Sequence, residues 1–215
     1  MWVDEIKNVD ISKNRYSQNG EECYIDYILK NIGFGNNFVV EFGAGDGDSL
    51  SNSRYFIKEY GFKHILMDYS SGPEVHQEFI TVENICDLLK KYECPKEFTF
   101  LSIDIDGNDY WVLRKLLTKY SPRLIVCEIN GVFPIEDCRV MEYNPDHKHL
   151  NNDYYGFSLG ACKSLADWFG YKVIFQNNSL NAYLVREDLV EDKEYELNYS
   201  PRHSNYSHEG AWVYL

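Results

Sequence analysis

Apolar runs of strand length alternate with longer amphipathic stretches along the chain. Residues 22–31 (ECYIDYILKN) place Ile25, Ile28 and Leu29 on one helical face, and Gly33 and Gly35 end that helix. FVVEF (38–42) predicts a short buried strand, followed by the turn GAGDGDS and a helix over 51–60 that Ser49 or Ser51 can cap. HILMD (64–68) predicts a second strand, FITV (79–82) a third, and a helix follows near 84–92. FTFLSID (98–104) is the fourth strand, NDYWVLRKLL (108–117) a helix, and RLIVCEI (123–129) the fifth strand. Strand and helix in alternation at this spacing imply parallel strands joined by right-handed crossovers. Residues 131–157 break the rhythm, being polar and aromatic without a clear period; loops that long are usually functional or disordered. The pattern resumes with a helix over 159–170 that ends at Gly170, then YKVIFQ (171–176) and NAYLVRE (181–187) joined by NNSL as an antiparallel hairpin. The expected fold is α/β, with a mostly parallel central sheet, helices on both faces and a C-terminal antiparallel hairpin.

Composition narrows the partners. The chain has 215 residues, 44% of them hydrophobic, which suffices for one domain over 1–215 with 131–157 as an insertion. Its formal net charge is −13, which disfavours nucleic acid and anionic membranes as partners, because both want surface Lys and Arg. No stretch approaches the roughly 20 apolar residues of a membrane span. MWVDEIKNVDISKNRYS mixes charges with isolated apolar residues and lacks the apolar centre of a signal peptide. The six cysteines, at 23, 86, 94, 127, 138 and 162, form no C-x-x-C pair. Cys127, inside LIVCEI, is expected to pack as a small hydrophobe, and the expected compartment is the reducing cytoplasm.

The strongest local signal is VVEFGAGDGDS (39–49), a glycine-rich turn after the first strand that lets a ligand approach the backbone. A dinucleotide site wants G-x-G-x-x-G; Gly43 and Gly45 fit, but Asp48 stands where the third glycine belongs. Glu41, Asp46 and Asp48 would repel a pyrophosphate, whereas S-adenosyl-L-methionine carries a sulfonium and an ammonium and no phosphate. Asp68, at the end of HILMD, can accept both ribose hydroxyls; a turn residue or helix cap is the plainer alternative.

With these residues in view, the chain resembles the class I S-adenosylmethionine-dependent methyltransferases with their Rossmann-like fold, and within them the FkbM-type family, which includes sugar O-methyltransferases. The matching pieces are YSQNGEE (16–22), VEFGAGDGDSLSNSRYF (40–56), FLSIDIDGNDYWVL (100–113), LIVCEIN (124–130) and YYGFSLGACKSLADWFGYKVI (154–174). The resemblance implies that Gly43, Ala44, Gly45 and Asp46 border the methionine part of the cofactor and that Asp68 holds the ribose. It places Glu83 and Asn84 at the adenine end, with Gln18 and Asn52 flanking the cofactor; for Gln18 a plain surface loop is the alternative.

Asp104 and Asp106 end the fourth strand, and Glu128 and Asn130 end the fifth, so in an open parallel sheet they share one crevice. Like charges that close need compensation, and hard oxygen ligands suit magnesium, calcium or manganese. Some sugar and catechol O-methyltransferases resemble this layout, although their second strand end carries adjacent ligands, whereas Ile129 separates Glu128 from Asn130. Three other readings stay open. Asp104 can meet the cofactor's ammonium, Asp106 can shape a turn in which Gly107 supplies an unusual dihedral, and Glu128 with Asn130 can bind a hydroxyl without metal.

In the segment 144–156, His147 and His149 are candidate bases, since imidazole titrates near neutral pH, and Asp153, Tyr154 and Tyr155 are candidate acceptor contacts. His203 and His208 in the tail are weaker candidates. The expected activity is methyl transfer to a sugar hydroxyl of a glycan or small glycoside, with divalent metal assistance as an option. The alternatives are a nucleotide-sugar oxidoreductase with an atypical dinucleotide site, and a non-catalytic adenosylmethionine-binding module.

Overall fold

The computed structural model describes residues 2–207 and 209–215, so His208 lies outside the described residues. In chain order the elements are α1 (Trp2–Glu5), α2 (Glu21–Ile32), β1 (Phe38–Phe42), α3 (Arg54–Tyr60), β2 (Lys63–Asp68), β3 (Val75–Gln77), α4 (Ile85–Lys91) and β4 (Glu97–Ile103). They continue with α5 (Asp109–Leu117), β5 (Ser121–Glu128), β6 (Arg139–Met141), α6 (Leu159–Trp168), β7 (Tyr171–Asn177), β8 (Asn181–Arg186) and β9 (Trp212–Tyr214).

Seven strands form one sheet in the order β3-β2-β1-β4-β5-β8-β7. The pairs from β3 through β5 are parallel, and β8 runs antiparallel to both β5 and β7. The chain steps outward from β1 to β2 and β3, then returns to lay β4 on the other side of β1. That reversal opens a crevice at the carboxyl ends of β1 and β4, the usual ligand position in such sheets. Strands buried on both faces read as continuous apolar runs, which is why FVVEF and RLIVCEI lack a polar alternation. Successive residues still sort to opposite faces: Val40, Phe42, Ile125 and Cys127 join a core with α4, α5 and α6. Val39, Leu124 and Val126 join a second core with α1, α2 and α3.

The third strand departs from the expectation. It lies at Val75–Gln77, pairing Leu66 with Val75, while residues 79–82 are loop. VHQ is a short edge strand with one buried residue, so it carries no apolar run. FITV is apolar for another reason: Ile80 is buried in the core, and the loop is fixed by Asn84, whose Oδ1 accepts from Thr81 N at 2.8 Å and whose Nδ2 donates to the Phe79 carbonyl at 2.8 Å. The insertion also holds β6, which pairs antiparallel with β9 of the tail.

YSQNGEE folds through its two glutamates. Glu22 accepts the backbone N–H groups of Arg15, Tyr16 and Ser17 at 2.5, 2.9 and 3.1 Å, closing its own approach loop. Glu21, 1% exposed, instead reaches across to the hairpin: its Oε1 accepts from Asn177 Nδ2 and Asn181 Nδ2, both at 3.1 Å, and its Oε2 from Asn19 N at 2.6 Å. Asn181 pairs in register with Glu128, so this buried carboxylate ties α2 to the strand end beside the crevice. Glu21→Ala leaves two buried amides without an acceptor and is expected to cost about 1–3 kcal/mol in urea unfolding. A loss below about 0.5 kcal/mol, the size of an ordinary surface change, would show that the clamp carries no weight.

Candidate active site

The glycine turn and the end of β4 meet backbone to backbone. Asp104 N donates to the Phe42 carbonyl at 3.2 Å, and a Cβ on Gly43, at φ +75°, would drive into the Asp104 carbonyl oxygen. Gly43 is therefore required by the fold itself, a need that its sequence position had assigned to the ligand. Gly45, at φ +54°, has open space where its side chain would be. The turn is held from β2: Gly43 N and Ala44 N donate to the Met67 carbonyl at 3.0 and 3.2 Å, and Gly45 N donates to Asp68 Oδ2 at 2.9 Å. Asp68 Oδ1 accepts from Ser70 N and Ser70 Oγ at 2.7 and 2.6 Å. A carboxylate offers about four acceptor sites, so roughly one remains for a ribose hydroxyl rather than two.

Glu41 and Asp48 are less available than the sequence suggests. Glu41 is buried; its Oε1 accepts from Asn52 N at 2.8 Å, and its Oε2 accepts from Ser51 Oγ at 2.6 Å and from Ser53 Oγ. Burial pushes its carboxyl above the ordinary range against those hydrogen bonds. Its role is to fold the 51–53 loop, which also places Asn52 Nδ2 on Ser102 Oγ at 3.0 Å. Asp48 pairs with Arg54 Nε at 2.6 Å, and Arg54 also pairs with Glu74. Asp46 accepts from Asp48 N and Ser49 N at 2.9 and 2.7 Å and shapes the turn. Gln18 is exposed, next to Ser17, which bridges to Leu50 beyond the turn. Glu83 is exposed and accepts from Tyr143 OH at 2.5 Å, and Asn84 is occupied in its own loop. Leu50 and Tyr69 are 65% and 75% exposed; this apolar surface beside the turn and Asp68 carried no motif to reveal it.

On the other side of the crevice, one oxygen each of Asp104, Asp106 and Glu128 lies within 4.8 Å of the others. Asp106 and Asp104 keep solvent-exposed surface, and the protein around Asp104 partly desolvates its carboxyl. That desolvation, with the charges of Asp109 and Asp106, pushes Asp104 up to about 7, against a hydrogen bond with Glu128. Burial, with the charges of Asp104, Asp109 and Asp106, pushes Glu128 well above its ordinary range, and its Oε2 is buried with no hydrogen-bond partner. The left-handed residue of the I-D-G turn is Asp106, at φ +55°, and not Gly107 as expected. Asp109 fixes that turn by accepting from Ile105 N at 2.8 Å and Gly107 N at 2.9 Å; burial raises its carboxyl to about 6. Gly107 is small because the His147 ring lies against it.

His147 and His149 are half-buried, and His147 Nε2 and His149 Nδ1 have no hydrogen-bond partner. Burial holds His147 below the ordinary imidazole range. Asn130 is fully buried; its Nδ2 donates to the carbonyls of Asp153 and Tyr155 at 2.8 and 3.0 Å and clamps the insertion, while its Oδ1, the atom a cation would take, accepts from Val132 N at 3.4 Å. Asp153 is buried and accepts from Arg202 Nη2 at 3.3 Å and from Ser204 Oγ. Tyr154 OH donates to the Ala211 carbonyl at 2.8 Å, and Tyr155 lies with its ring 5.6 Å from that of His149. His203 and the rest of the tail offer no comparable cluster among the described residues. A separate cavity of about 720 Å³, lined by residues such as Asn14, Cys23 and Tyr55, contains none of these groups.

The sequence matches the Methyltransferase FkbM domain over residues 24–159, more than half of the chain. The chain belongs to the FkbM methyltransferase family. As a member, it is an S-adenosylmethionine-dependent methyltransferase. No curated protein matches the chain. Among solved structures it is similar to the CMeT domain of the citrinin polyketide synthase, at 10% identity over 78% of this chain and 51% of that one, with a TM-score of 0.41. It is also similar to a SAM dependent methyltransferase from Aquifex aeolicus, at 13% identity over 86% of this chain and 98% of that one, with a TM-score of 0.36. The chain thus spans about half the length of the first. No helix among the described residues is long and apolar enough to cross a membrane.

For this FkbM-family chain, Gly43→Ala is expected to lose more than about 3 kcal/mol of stability or fail to fold, because backbone occupies the space its Cβ needs. Gly45→Ala should cost only about 1–2 kcal/mol for the left-handed backbone and still fold, but should bind adenosylhomocysteine more weakly. Equal folding losses, or unchanged affinity for Gly45→Ala by calorimetry, would contradict this division. The carboxyls predict a pH slope. The folded chain holds the Asp104 proton more tightly than the unfolded one. The resulting stability is whole below the ordinary carboxylate range and lost as pH rises through about 7. Urea stability should therefore fall between about pH 5 and 7.5, and Asp104→Asn should flatten the fall. An equally steep fall in that variant would remove Asp104 as its source.

Proposed function

We propose that this FkbM-family methyltransferase methylates a hydroxyl of a sugar, in a glycan or a small glycoside, in the crevice between the glycine turn and the ends of β4 and β5. The observation that carries the proposal is the group of Asp104, Asp106 and Glu128 within 4.8 Å of one another, with unpartnered buried nitrogens on His147 and His149 in the adjoining insertion. Open space at Gly45, the remaining acceptor capacity of Asp68 and the exposed Leu50 and Tyr69 fit a nucleoside cofactor on the other side.

Adenosylmethionine, when bound, supplies a methyl group on a sulfonium sulfur. The chain's own residues orient the acceptor hydroxyl and take its proton as its oxygen becomes an ether. A carboxyl poised at about 7, such as Asp104, is matched to proton transfer near neutral pH. His147, lowered by burial, is neutral there and has a free acceptor nitrogen. Asp153, Tyr154 and Tyr155 belong to the wall that an acceptor would meet, and the insertion over 131–157 would be its binding element. Positioning supplies much of the acceleration in such a transfer.

A second reading has Asp104, Asp106 and Glu128 hold a magnesium or manganese ion that lowers the hydroxyl's pKa. It is favoured by the all-oxygen set and by the unpartnered Glu128 Oε2. Asn130 Oδ1, two residues beyond Glu128, would be the fourth ligand of that set. Labelled adenosylmethionine with methyl glycosides of common hexoses, deoxyhexoses and N-acetylhexosamines, beside lipid, peptide and RNA controls, tests the acceptor class. Label on at least one glycoside is expected, and label on a control alone overturns the sugar. His147→Ala should lower kcat by about 100-fold, as for a lost general base, while adenosylhomocysteine affinity stays within about twofold. Retained kcat would remove His147. Activity that falls with a chelator and returns with manganese supports the metal arrangement; full activity in excess chelator leaves the carboxyls as direct partners of the hydroxyl.

A further inference from the structure

Residues 197–207 and 209–215 wrap back over the insertion, beyond the segment that matches the family. The strap begins on the hairpin, where Gln176 Nε2 donates to the Leu197 carbonyl at 3.1 Å and Ser179 Oγ to the Ser200 carbonyl at 2.6 Å. It then crosses the end of β5: Tyr199 OH donates to the Gly131 carbonyl at 3.0 Å and Arg202 N donates to the same carbonyl at 2.6 Å. Farther on, Asp153 N donates to the Ser207 carbonyl and Glu142 N to the Ala211 carbonyl, each at 2.8 Å, and β9 pairs with β6. The insertion, which lacks a periodic core of its own, gains part of its backbone bonding from this strap.

The contacts converge on residues 153–155. From the sheet side, Asn130 holds the carbonyls of Asp153 and Tyr155. From the strap side, Arg202 Nη2 donates to Asp153 Oδ1 at 3.3 Å and to Tyr155 OH at 3.2 Å. Tyr155 is thus gripped at both ends, by its backbone and by its hydroxyl. Asn130, which holds the Tyr155 carbonyl, lies two residues beyond Glu128 at the end of β5, so Tyr155 sits between that strand end and the strap. One guanidinium that bridges two side chains of a loop fixes their relative position, which a single point contact would not.

We infer that the C-terminal strap is the outer wall of the acceptor site and that Arg202 is a positioning residue for methyl transfer, setting Tyr155 against the Asp104–Glu128 crevice. This rests on the crevice being the acceptor site, as proposed above. A strap that only stabilised the fold would have the same hydrogen bonds but no selective effect on the acceptor.

The test compares the full chain with Arg202→Ala, Arg202→Lys, Tyr155→Phe and the Arg202→Ala/Tyr155→Phe double variant, using the methyl glycoside panel as acceptors and adenosylhomocysteine as the cofactor probe. In Arg202→Ala the acceptor KM should rise about tenfold with a smaller change in kcat, and adenosylhomocysteine Kd should stay within about twofold. Arg202→Lys should recover part of the loss, and the double variant should be no worse than Arg202→Ala, since the two residues act through one contact. Amide exchange over residues 153–157 should quicken about tenfold while that over 43–47 does not change. An unchanged KM, or a loss of adenosylhomocysteine affinity as large as the loss for acceptor, overturns the inference. If no glycoside is methylated, the sugar proposal fails by itself, and unchanged exchange over 153–157 in Arg202→Ala overturns the inference about the strap.

Discussion

The close approach of Gly43 to the Asp104 carbonyl is the constraint on which the rest of the site depends. It occurs where the sheet reverses its direction of growth, between β1 and β4, and it lets two chain segments of different character face each other across one crevice. One side is a turn of small residues held by Met67 and Asp68 from β2. The other is a carboxyl-rich strand end held by Asp109. A side chain at Gly43 would push these two segments apart, so the glycine serves the fold before any ligand.

Several acids near the crevice serve as backbone acceptors. Glu21, Glu22, Glu41, Asp46, Asp68 and Asp109 each receive backbone or side-chain donors, and Asp48 pairs with Arg54. Asp104, Asp106 and Glu128 remain. Among these, Asp104 is raised by desolvation and by the charges of Asp109 and Asp106, and Glu128 by desolvation and by the charges of Asp104 and Asp109. Groups pushed far from their ordinary protonation and gathered in a crevice are where proton transfer or cation binding is expected. The distinction between acids that hold the fold and acids left to do chemistry is not written in their spacing; it depends on which donors the tertiary structure brings to each.

That difference explains what was legible in the sequence. The central strands, the helices between them and the hairpin follow from apolar runs and helical spacing, because burial against the sheet imposes both. Val75–Gln77 escaped because an edge strand with one buried residue makes no run, while Ile80 made an apolar run in a loop. The positions of Asp104, Asp106 and Glu128 at adjacent strand ends could be expected from parallel topology. The clamp made by the Asn130 Nδ2 was not legible, since its two acceptor carbonyls lie 23 and 25 residues away. The left-handed Asp106 was hidden by the glycine beside it, and Arg202 was hidden in a tail without period.

We propose that the cofactor binds at the glycine turn and Asp68, facing the three carboxyls. Hydrogen exchange of the chain with and without saturating adenosylhomocysteine is the most direct measurement of this. Exchange should slow over residues 43–53 and 68–70, with the cavity around Asn14 and Cys23 unchanged. Protection at that cavity with none at the glycine turn would contradict it.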